Sequence, residues 1–367
     1  MSYLRRARRV LDELDAGNLR RTIREHRDDV VDFSSNDYLG LSRHGTVVGA
    51  LRAARRAGSG GARLLAGAHP EHRALEEALA ELVRREAVLL FSSGYMAALG
   101  AIGALASCVD AAYSDALNHA CLIDGLRATK LTRTIYPHLA LPQRRDPAAM
   151  IVSETIFGMD GDGIDTGALV AALGTDDVAL LDEAHALGIA GPGGGGLAAG
   201  LDDPRIVVVG TLSKALGALG GFVAGPQTAI ALLRNTARTF VFDSALPPAV
   251  AAAARAAVGI VASAEGEALR ERLASRASRL RAALERLGRS ADGSGAVIPI
   301  VVGDASEVLA VAAALAERGL HVPAIRPPTV PQGTSRLRIT LRADHTDDEI
   351  DALASALAAV LPHPALL

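Results

Sequence analysis

The sequence predicts an α/β protein with a doubly wound, mainly parallel sheet, followed by a smaller α/β lobe. Between residues 87 and 210, short apolar runs alternate with helical stretches, and the hydrophobicity of each run is continuous. Continuous hydrophobicity is typical of parallel strands that helices cover on both faces. Strands that alternate with helices predict right-handed crossovers and hence a doubly wound sheet. A chain of 367 residues is long enough for two lobes.

Local patterns predict the elements of the larger lobe. Residues 2–27 are rich in arginine and predict a helix, and "VVDFSSNDYLGLS" after it predicts a strand, a turn and a loop. A second helix begins at Pro70 and places its leucines on one face. Four apolar runs predict buried strands, at 87–91, 150–154, 178–182 and 206–210.

The composition changes near residue 246, where some 40 residues of helical pattern begin, with a break expected near Gly259 or Gly266. The order strand, helix, strand, strand, helix then predicts a small lobe with a partly antiparallel sheet. The expected division is an N-terminal segment of residues 1–45, a large domain of residues 46–245 and a small domain of residues 246–367.

Composition limits the classes of function. The net charge is −3 and 22% of the residues are charged, which gives no electrostatic reason to expect a nucleic-acid partner. No run reaches the ~18 apolar residues of a membrane span, and the N-terminus lacks the apolar core of a signal peptide. Cys108 and Cys121 provide neither a disulfide framework nor metal-ligand spacing. The expected compartment is the cytoplasm.

Lysine usage singles out one residue. The chain holds 38 basic residues, yet Lys130 and Lys214 are its two lysines. Arginine does not lose its proton in proteins, whereas lysine can act as an amine nucleophile or base. Lys214, in "VVVGTLSKALG", is therefore a candidate for amine chemistry, with an ordinary loop lysine as the alternative. Lys130, in "RATKLTR", is expected to lie on the surface.

Polar residues follow the predicted strands at the edge of the sheet where ligands bind in α/β proteins. Ser93, Gly94 and Tyr95 open a helix, and a helix N-terminus attracts anions. The next two strand ends contribute Asp182 with His185, and Thr211 with Lys214. Taken singly, each residue is better explained by an ordinary structural role: Asp182 as a cap, His185 as a packed loop residue and Ser93 as a helix cap.

Together these groups match the requirements of pyridoxal phosphate. This cofactor needs a phosphate cradle, a carboxylate at its pyridine nitrogen, a donor near its phenolate oxygen and a Schiff-base lysine. A dinucleotide fits less well. "GPGGGG" satisfies a G-x-G-x-x-G pattern but follows the polar segment "DEAHALG" rather than a strand that leads into a helix.

Ordered motifs between residues 33 and 345 resemble those of the α-oxoamine synthases. These are fold-type-I pyridoxal-phosphate enzymes that join an amino acid to an acyl-CoA. The motifs are "FSSNDYLGLS", "GSGGARLLAG", "ELVRREAVLLFSSGY", "NHACLIDG", "ETIFGMDGD", "LDEAHALG", "GTLSKALG" and "RLRITLRADH".

The resemblance implies a role for each candidate in the larger lobe. Lys214 carries the cofactor as a Schiff base and, once released, removes the α-proton of the amino acid. Asp182 pairs with the pyridine nitrogen, and His185 hydrogen-bonds the phenolate oxygen. His119 stacks on the cofactor ring and assists the thioester carbonyl or the decarboxylation.

The resemblance also implies how the phosphate is held. The amides near Gly94 and Tyr95, at the helix that Ser93 opens, bind it together with Thr211. Ser244 reaches it from the other subunit of a homodimer whose active site lies at the interface.

The segment "AIRPPTVPQGTSRLRITL" is most similar to the branch of the family that uses L-alanine and a pimeloyl thioester, on coenzyme A or acyl carrier protein, in biotin synthesis. By this resemblance Arg338 pairs with one substrate carboxylate, and Arg20 or Arg21 with the other. A surface strand arginine is the alternative for Arg338.

Three departures from the family pattern bear on substrate choice. Ala98 replaces the usual asparagine, Gly158 replaces a serine, and "GPGGGGLAAG" lacks the usual arginine. Other interpretations therefore stay open. They are a synthase that uses glycine or serine with another acyl-CoA, an aminotransferase, and a protein that binds the cofactor without turnover.

Overall fold

The computed structural model describes residues 2–23, 25, 29–143, 146–289, 293 and 295–361. In chain order the helices are α1 (Tyr3–Ala16), α2 (Gly45–Arg52), α3 (Pro70–Val83), α4 (Gly94–Leu105), α5 (Ala120–Arg127), α6 (Thr166–Ala171), α7 (Gln227–Thr236), α8 (Arg238–Val241), α9 (Pro248–Val261), α10 (Ala264–Arg286), α11 (Ala305–Ala316) and α12 (Asp347–Val360). The strands are β1 (Val31–Asp32), β2 (Ala87–Phe91), β3 (Ala111–Asp115), β4 (Thr132–Tyr136), β5 (Ala149–Glu154), β6 (Val178–Asp182), β7 (Ile206–Thr211), β8 (Gly221–Gly225), β9 (Val297–Gly303), β10 (Leu320–His321), β11 (Ala324–Ile325) and β12 (Ser335–Thr340).

The larger of two compact units comprises residues 36–158 and 162–273. Among the described residues, its sheet has seven strands in the order β2-β8-β7-β6-β5-β3-β4. The strands from β7 to β4 pair in parallel, while β8 runs antiparallel to both β7 and β2. The predicted mainly parallel α/β sheet is therefore confirmed.

The core of this unit lies between the sheet and α4. The helix buries small side chains that allow close approach, including Ala97, Ala98 and Ala101, each 0% exposed. They pack against strand residues such as Val152 and Leu180. This packing holds the N-terminus of α4 at the edge of the sheet where the parallel strands end.

Three strands of the sheet were not predicted. β3 ends in the polar residues Ser114 and Asp115, and β4 is an edge strand exposed over Thr132–Ile135. β8, with the sequence "GFVAG", begins and ends with glycine. Each lacks the continuous apolar run on which the prediction depended.

The smaller unit comprises residues up to 35, residues 159–161 and residues from 274 onward. In its described part, β11, β12 and β9 form an antiparallel sheet in that order, and β1 pairs in parallel with β10. Thr340 donates a backbone hydrogen bond to Phe33, at 2.8 Å. The expected N-terminal segment therefore belongs to this unit as far as residue 35, whereas residues 36–45 belong to the larger unit.

The unit boundaries differ from those expected at residues 45 and 245. Helix α9 packs on α2 and α3 inside the larger unit, so the division falls within α10, between Leu273 and Ala274. The long helical stretch breaks after Val261, between the two glycines where a break was expected. The first helix was expected to reach residue 27 but ends at Ala16, because Gly17 follows and Asn18 adopts a left-handed φ of 53°. Residues 24 and 26–28 lie outside the described part.

In the described part of the chain, no single helix is long and apolar enough to cross a membrane. The bent pair α9 and α10 passes the same test of length and composition when its two helices are taken together.

Candidate active site

Lys214 lies in the tight connection between β7 and β8, because the chain reverses direction immediately after β7. Leu212 donates a backbone hydrogen bond to Gly220 at 2.9 Å, and Gly217 donates one to Lys214 at 2.8 Å. Gly217 has a φ of 60°, and a Cβ atom there would lie 2.2 Å from the backbone nitrogen of Ser42. This position therefore accepts only glycine, and the turn presents Lys214 at the carboxyl edge of the sheet.

The amine of Lys214 contacts a histidine. Lys214 Nζ lies 2.7 Å from His185 Nε2, and His185 Nδ1 lies 2.6 Å from the hydroxyl of Tyr38. His185 is 6% exposed and Tyr38 is 0% exposed. A neutral imidazole has one donor and one acceptor nitrogen, so the proton on Lys214 is linked to the tautomer of His185.

Asp182 is the last residue of β6 and is buried. Its Oδ1 accepts a hydrogen bond from the backbone N–H of Ala184 at 2.8 Å, and its Oδ2 lies 3.9 Å from Cys121 Sγ. The cap considered for Asp182 is therefore present, but it occupies Oδ1 and leaves Oδ2 on the side of Cys121. Asp182 therefore uses Oδ1 to hold the backbone of the turn, while Oδ2 lies in the site.

His119 caps the N-terminus of α5. Its Nδ1 accepts from the backbone N–H of Cys121 at 3.2 Å, which places the hydrogen of the neutral ring on Nε2. Burial, opposed by the charge of Asp182, lowers the pKa of His119. His119 is thus a neutral ring with one N–H donor.

Glu154, at the end of β5, is a site residue that the sequence analysis did not identify. Its Oε1 accepts from the backbone N–H of His119 at 2.7 Å, and it pairs in register with Asp182 on the neighbouring strand. Burial, reinforced by the charge of Asp182, raises the pKa of Glu154 to about 8. A second buried carboxyl group therefore lies beside Asp182 and fixes the backbone of His119.

The N-terminus of α4 meets the end of β7. Ser93 caps the helix by accepting from the backbone N–H of Met96 at 3.2 Å, and a Cβ atom on Gly94 would lie 3.2 Å from Thr211 Oγ1. Thr211 Oγ1 in turn lies 2.8 Å from Ser213 Oγ. The first amides of a helix have no acceptor within the helix, so they and two hydroxyl groups converge on this position.

Tyr95, also in the first turn of α4, donates its hydroxyl to Asp124. This hydrogen bond, more than burial, raises the pKa of Tyr95 to about 12. Its ring meets that of His119 edge-on, with centroids 6.5 Å apart. The hydrogen bond to Asp124 therefore holds the ring of Tyr95 next to His119, and the phenol of Tyr95 stays protonated at neutral pH.

These residues fit pyridoxal phosphate. The amine of Lys214 and the buried carboxyl group of Asp182 follow the neighbouring strands β7 and β6, and the anion-binding end of α4 follows β2 in the same sheet, with only β8 between β2 and β7 among the described strands. Gly94 approaches Thr211 so closely that a side chain there would narrow the space for a phosphate group.

Two departures from the family pattern can be placed. Ala98 is 0% exposed and belongs to the apolar core between α4 and the sheet. A Cβ atom on Gly158 would lie 2.1 Å from His185 Nε2. A serine at position 158 is therefore incompatible with this orientation of His185.

Ser244 is exposed, and its backbone N–H donates to the side chain of Asp243 at 2.8 Å. Asp243 also accepts from the hydroxyl of Ser92 at the end of β2. The segment that carries Ser244 is thus fixed beside the start of α4 in its own chain. A contact of Ser244 with the cofactor of a partner subunit stays a prediction.

The predicted substrate arginines belong to the smaller unit. Arg338 lies on β12, is 4% exposed and donates to Thr340 Oγ1 at 2.9 Å, so the surface-strand alternative is wrong. Arg20 and Arg21 line a cavity of about 550 Å³ together with Arg326. Within it Arg20 pairs with Asp15 at 2.6 Å, and the lining also includes apolar residues such as Leu309 and Val322.

Tyr38 and Glu154 stand inside motifs that the sequence analysis quoted, "FSSNDYLGLS" and "ETIFGMDGD". The motifs could therefore be found in the sequence, but the part that Tyr38 and Glu154 play in the site could not. Their roles depend on neighbours that are distant in the chain: Tyr38 and His185 are 147 residues apart.

A family model for class I and II aminotransferases matches residues 28–357. The chain belongs to this family. It is 45% identical to the 8-amino-7-oxononanoate synthases of Burkholderia thailandensis and Burkholderia mallei, over 96% of its own length and 93% of theirs.

Solved structures agree with this membership. A serine palmitoyltransferase variant from S. paucimobilis with a bound PLP–myriocin aldimine is 28% identical, with a TM-score of 0.88 over 98% of both chains. An 8-amino-7-oxononanoate synthase from Francisella tularensis shares the fold, with a TM-score of 0.78 and 23% identity over 91% of this chain and 98% of that one. The resemblance to the α-oxoamine synthases is confirmed.

Proposed function

We propose that the protein condenses L-alanine with a pimeloyl thioester to give 8-amino-7-oxononanoate, the free thiol and CO₂. The observation that carries this proposal is the contact of Lys214 Nζ with His185 at 2.7 Å, next to Asp182 and the anion-binding end of α4. The full-length similarity to curated 8-amino-7-oxononanoate synthases selects this reaction within the family. The protein is therefore a C-acyltransferase of biotin synthesis.

The prediction that the protein uses pyridoxal phosphate is confirmed by its family and by the relatives that bind it. When bound, this cofactor supplies an aldehyde that links to amines and an electron sink for the carbon next to the nitrogen. Lys214 would hold its aldehyde, and Asp182 its ring nitrogen. The amides of α4 with Thr211 would hold its phosphate.

The residues of the site divide the proton chemistry. Lys214, as a free amine, takes the α-proton of alanine at Nζ. The carboxyl group of Asp182 would pair with the ring nitrogen of the cofactor and so support its electron sink. His119 offers its Nε2 hydrogen to the carbonyl oxygen of the thioester, a role that its neutral state and fixed tautomer support.

The two substrate carboxylates are assigned to the smaller unit. Arg338 offers the fixed fork of donors that a carboxylate prefers, and its burial strengthens such a pair. The cavity with Arg20, Arg21 and Arg326 is lined by both cationic and apolar side chains. This combination suits a hydrocarbon chain that ends in a carboxylate, as pimeloyl does.

A homodimer with the site at its interface is part of the proposal, in keeping with the family resemblance. The cytoplasmic location expected from the sequence stays a prediction.

The attachment site is tested first. The protein loaded with pyridoxal phosphate is reduced with borohydride, digested and analysed by mass spectrometry. The cofactor mass is expected on the peptide that contains Lys214, while the peptide that contains Lys130 stays unmodified. Lys214→Ala should abolish the adduct, and Lys130→Ala should retain it; an adduct at Lys130 alone would contradict the assignment.

The substrates are tested by pairing alanine, glycine and serine with pimeloyl-CoA, succinyl-CoA and palmitoyl-CoA, and by identifying each product by mass. Only alanine with pimeloyl-CoA is expected to give a rapid release of CoA and a product of the mass of 8-amino-7-oxononanoate. Serine with palmitoyl-CoA is the second candidate, because serine palmitoyltransferases are among the similar structures. Its product would replace our substrate assignment and keep the family.

A further inference from the structure

A chain of hydrogen bonds connects Lys214 to a buried tyrosine through His185. The two distances are 2.7 Å for Lys214 Nζ to His185 Nε2 and 2.6 Å for His185 Nδ1 to the hydroxyl of Tyr38. Tyr38 has no exposed surface, and its hydroxyl also lies 3.4 Å from Asn36 Oδ1. The mechanism proposed above gives Tyr38 no part.

The fold fixes Tyr38 relative to Lys214. Tyr38 lies in a turn in which its own N–H donates to Asn36 at 2.8 Å and Gly40, with a φ of 70°, donates to Asp37 at 2.9 Å. Ser42, four residues beyond Tyr38, packs against Gly217 in the turn that carries Lys214. Tyr38 therefore lies on a segment that contacts the lysine turn directly.

The protonation state of Lys214 determines the direction of both hydrogen bonds. As an ammonium group, Lys214 donates to His185 Nε2, so Nδ1 carries the ring hydrogen and donates to the oxygen of Tyr38. As a free amine, Lys214 accepts from Nε2–H, and Nδ1 then needs a donor. The hydroxyl of Tyr38 is that donor, and its bond to Nδ1 is stronger in this state than in the ammonium state, because a phenol is a better hydrogen-bond donor than acceptor. The two states differ by one proton, which leaves Lys214 when the amine forms.

We propose that Tyr38 is a positioning residue that acts through His185 to favour the free-amine form of Lys214. In this state the hydroxyl holds His185 in the tautomer with hydrogen on Nε2. With the cofactor bound, the same Nε2 hydrogen would be available to its phenolate oxygen. The inference rests on the proposed function, since that function requires Lys214 as an amine nucleophile and base.

The test measures the chemistry of Lys214 rather than product formation. Apo-protein is mixed with pyridoxal phosphate at a series of pH values, trapped with borohydride at short times and digested, and the rate at Lys214 is obtained from peptide masses. Tyr38→Phe removes the hydroxyl and keeps the ring. Loss of a hydrogen bond of this kind corresponds to about a tenfold lower rate at neutral pH, with the midpoint of the pH–rate profile displaced to higher pH.

Two controls are available in the chain. Tyr136 is a second buried tyrosine, whose hydroxyl contacts the backbone oxygen of Val152 at 3.3 Å, so Tyr136→Phe should leave the profile of Lys214 unchanged. The peptide with Lys130 reports the intrinsic reactivity of an exposed amine in each sample. A structural role alone would lower the melting temperature without displacing the midpoint.

A Tyr38→Phe protein that melts like the wild type and keeps the midpoint of its pH–rate profile would overturn the proposal.

The variant His185→Asn tests whether Tyr38 acts through His185. Adding Tyr38→Phe to this variant should cause no further displacement of the midpoint. A displacement equal to that in the wild-type background would also overturn the proposal. If Tyr38→Phe does not fold, 3-fluorotyrosine at position 38 should displace the midpoint to lower pH, because it is the stronger donor, and no displacement would refute the proposal. Failure to convert alanine and pimeloyl-CoA, with the midpoint displacement intact, would refute the proposed function instead.

Discussion

The imidazole ring of His185 occupies the space that a side chain at position 158 would need. The ring of His185 is held between Tyr38 and Lys214, and its Nε2 lies 2.1 Å from where a Cβ atom of residue 158 would be. The absence of a side chain at position 158 therefore leaves room for the present position of His185. A substitution at 158 should act through the histidine.

We therefore expect Gly158→Ser to weaken the binding of pyridoxal phosphate rather than to strengthen it. The ring must leave its position, which costs about 2 kcal/mol in rotamer strain and a weakened hydrogen bond, or roughly a thirtyfold higher Kd. Fluorescence titration of the apo-protein measures this. Gly49→Ala, where a Cβ atom meets no other heavy atom within 4 Å, serves as the control. Tighter binding by Gly158→Ser would contradict the steric account.

Glu154 makes the stability of the apo-protein depend on pH. Its pKa is raised from 4.5 to about 8 by burial and by Asp182, so the folded state holds a proton that the unfolded state releases. The stability that this proton contributes is complete below pH 4.5 and is lost as the pH rises to about 8.

Glu154→Gln keeps an oxygen that accepts from His119 but carries no charge. Between pH 5 and pH 8, its free energy of unfolding should rise relative to the wild type by a few kcal/mol, at about 1.4 kcal/mol per unit of pKa shift. Urea denaturation of the two apo-proteins across this range measures the difference. Glu77→Gln, at an exposed position of α3, should give a curve parallel to the wild type. If the free energy of unfolding of Glu154→Gln also runs parallel to that of the wild type across this pH range, Glu154 does not hold a buried proton.

At the scale of the element, α4 links the apolar core to the phosphate site. Its small buried residues allow the helix to pack on the sheet, and its first turn meets Thr211 at the end of β7. Gly94 lies close to this strand, and a Cβ atom there would lie 3.0 Å from Thr211 Cβ. One helix therefore supplies both packing and anion binding.

Gly94→Ala is expected to raise the Kd for pyridoxal phosphate roughly tenfold, because a methyl group enters the space between the helix and Thr211 and displaces a charged hydrogen bond. Calorimetric titration should show a smaller effect on pyridoxal, which has no phosphate group. Gly103→Ala, in the same helix with open space at its Cβ position, should bind like the wild type. If Gly94→Ala lowers the affinity for pyridoxal phosphate and pyridoxal equally, the phosphate group does not bind at the N-terminus of α4.

The direction of β8 determines where the lysine lies. Because β8 runs antiparallel to β7, the chain returns through a short turn instead of a crossover helix, and Lys214 stays at the carboxyl edge. The apolar run of β7 was predicted from sequence, but β8 was not. The location of Lys214 after a strand could be predicted, and the tight turn that fixes it could not.

At the scale of the whole molecule, a homodimer with shared active sites makes a specific prediction for mixed subunits. Lys214→Ala and Ser244→Trp should each be inactive as homodimers. In a hybrid, the Lys214 of the Ser244→Trp chain meets the intact Ser244 of the Lys214→Ala chain, so one complete site forms. After unfolding and refolding together, an equal mixture should recover about a quarter of the wild-type activity, since half the dimers are hybrids with one site each.

This prediction is tested by measuring the activity of the refolded mixture and of tagged hybrids that are isolated from it by tandem affinity purification. A mixture of Lys214→Ala with Lys130→Ala, whose second chain keeps every site residue, serves as the reference for assembly. A hybrid as inactive as its parents would show that Ser244 acts within its own chain. Full activity of the Ser244→Trp homodimer would remove Ser244 from the site altogether.

The sequence by itself determined the parallel α/β sheet and most of the site. Residues that follow parallel strands meet at one edge, so a list of strand ends placed Asp182, His185, Thr211 and Lys214 together before any coordinates. The scarcity of lysine in an arginine-rich chain singled out Lys214 for a chemical reason, since only lysine provides a neutral amine.

Only the tertiary structure decided the contacts that adjust these groups. Tyr38 reaches His185 across 147 residues, and Glu154 meets Asp182 through the register of two strands. Such contacts depend on how loops fold and how strands align, which local patterns do not encode. The division of the units inside α10 has the same cause, because helix packing rather than composition determines where one compact unit ends.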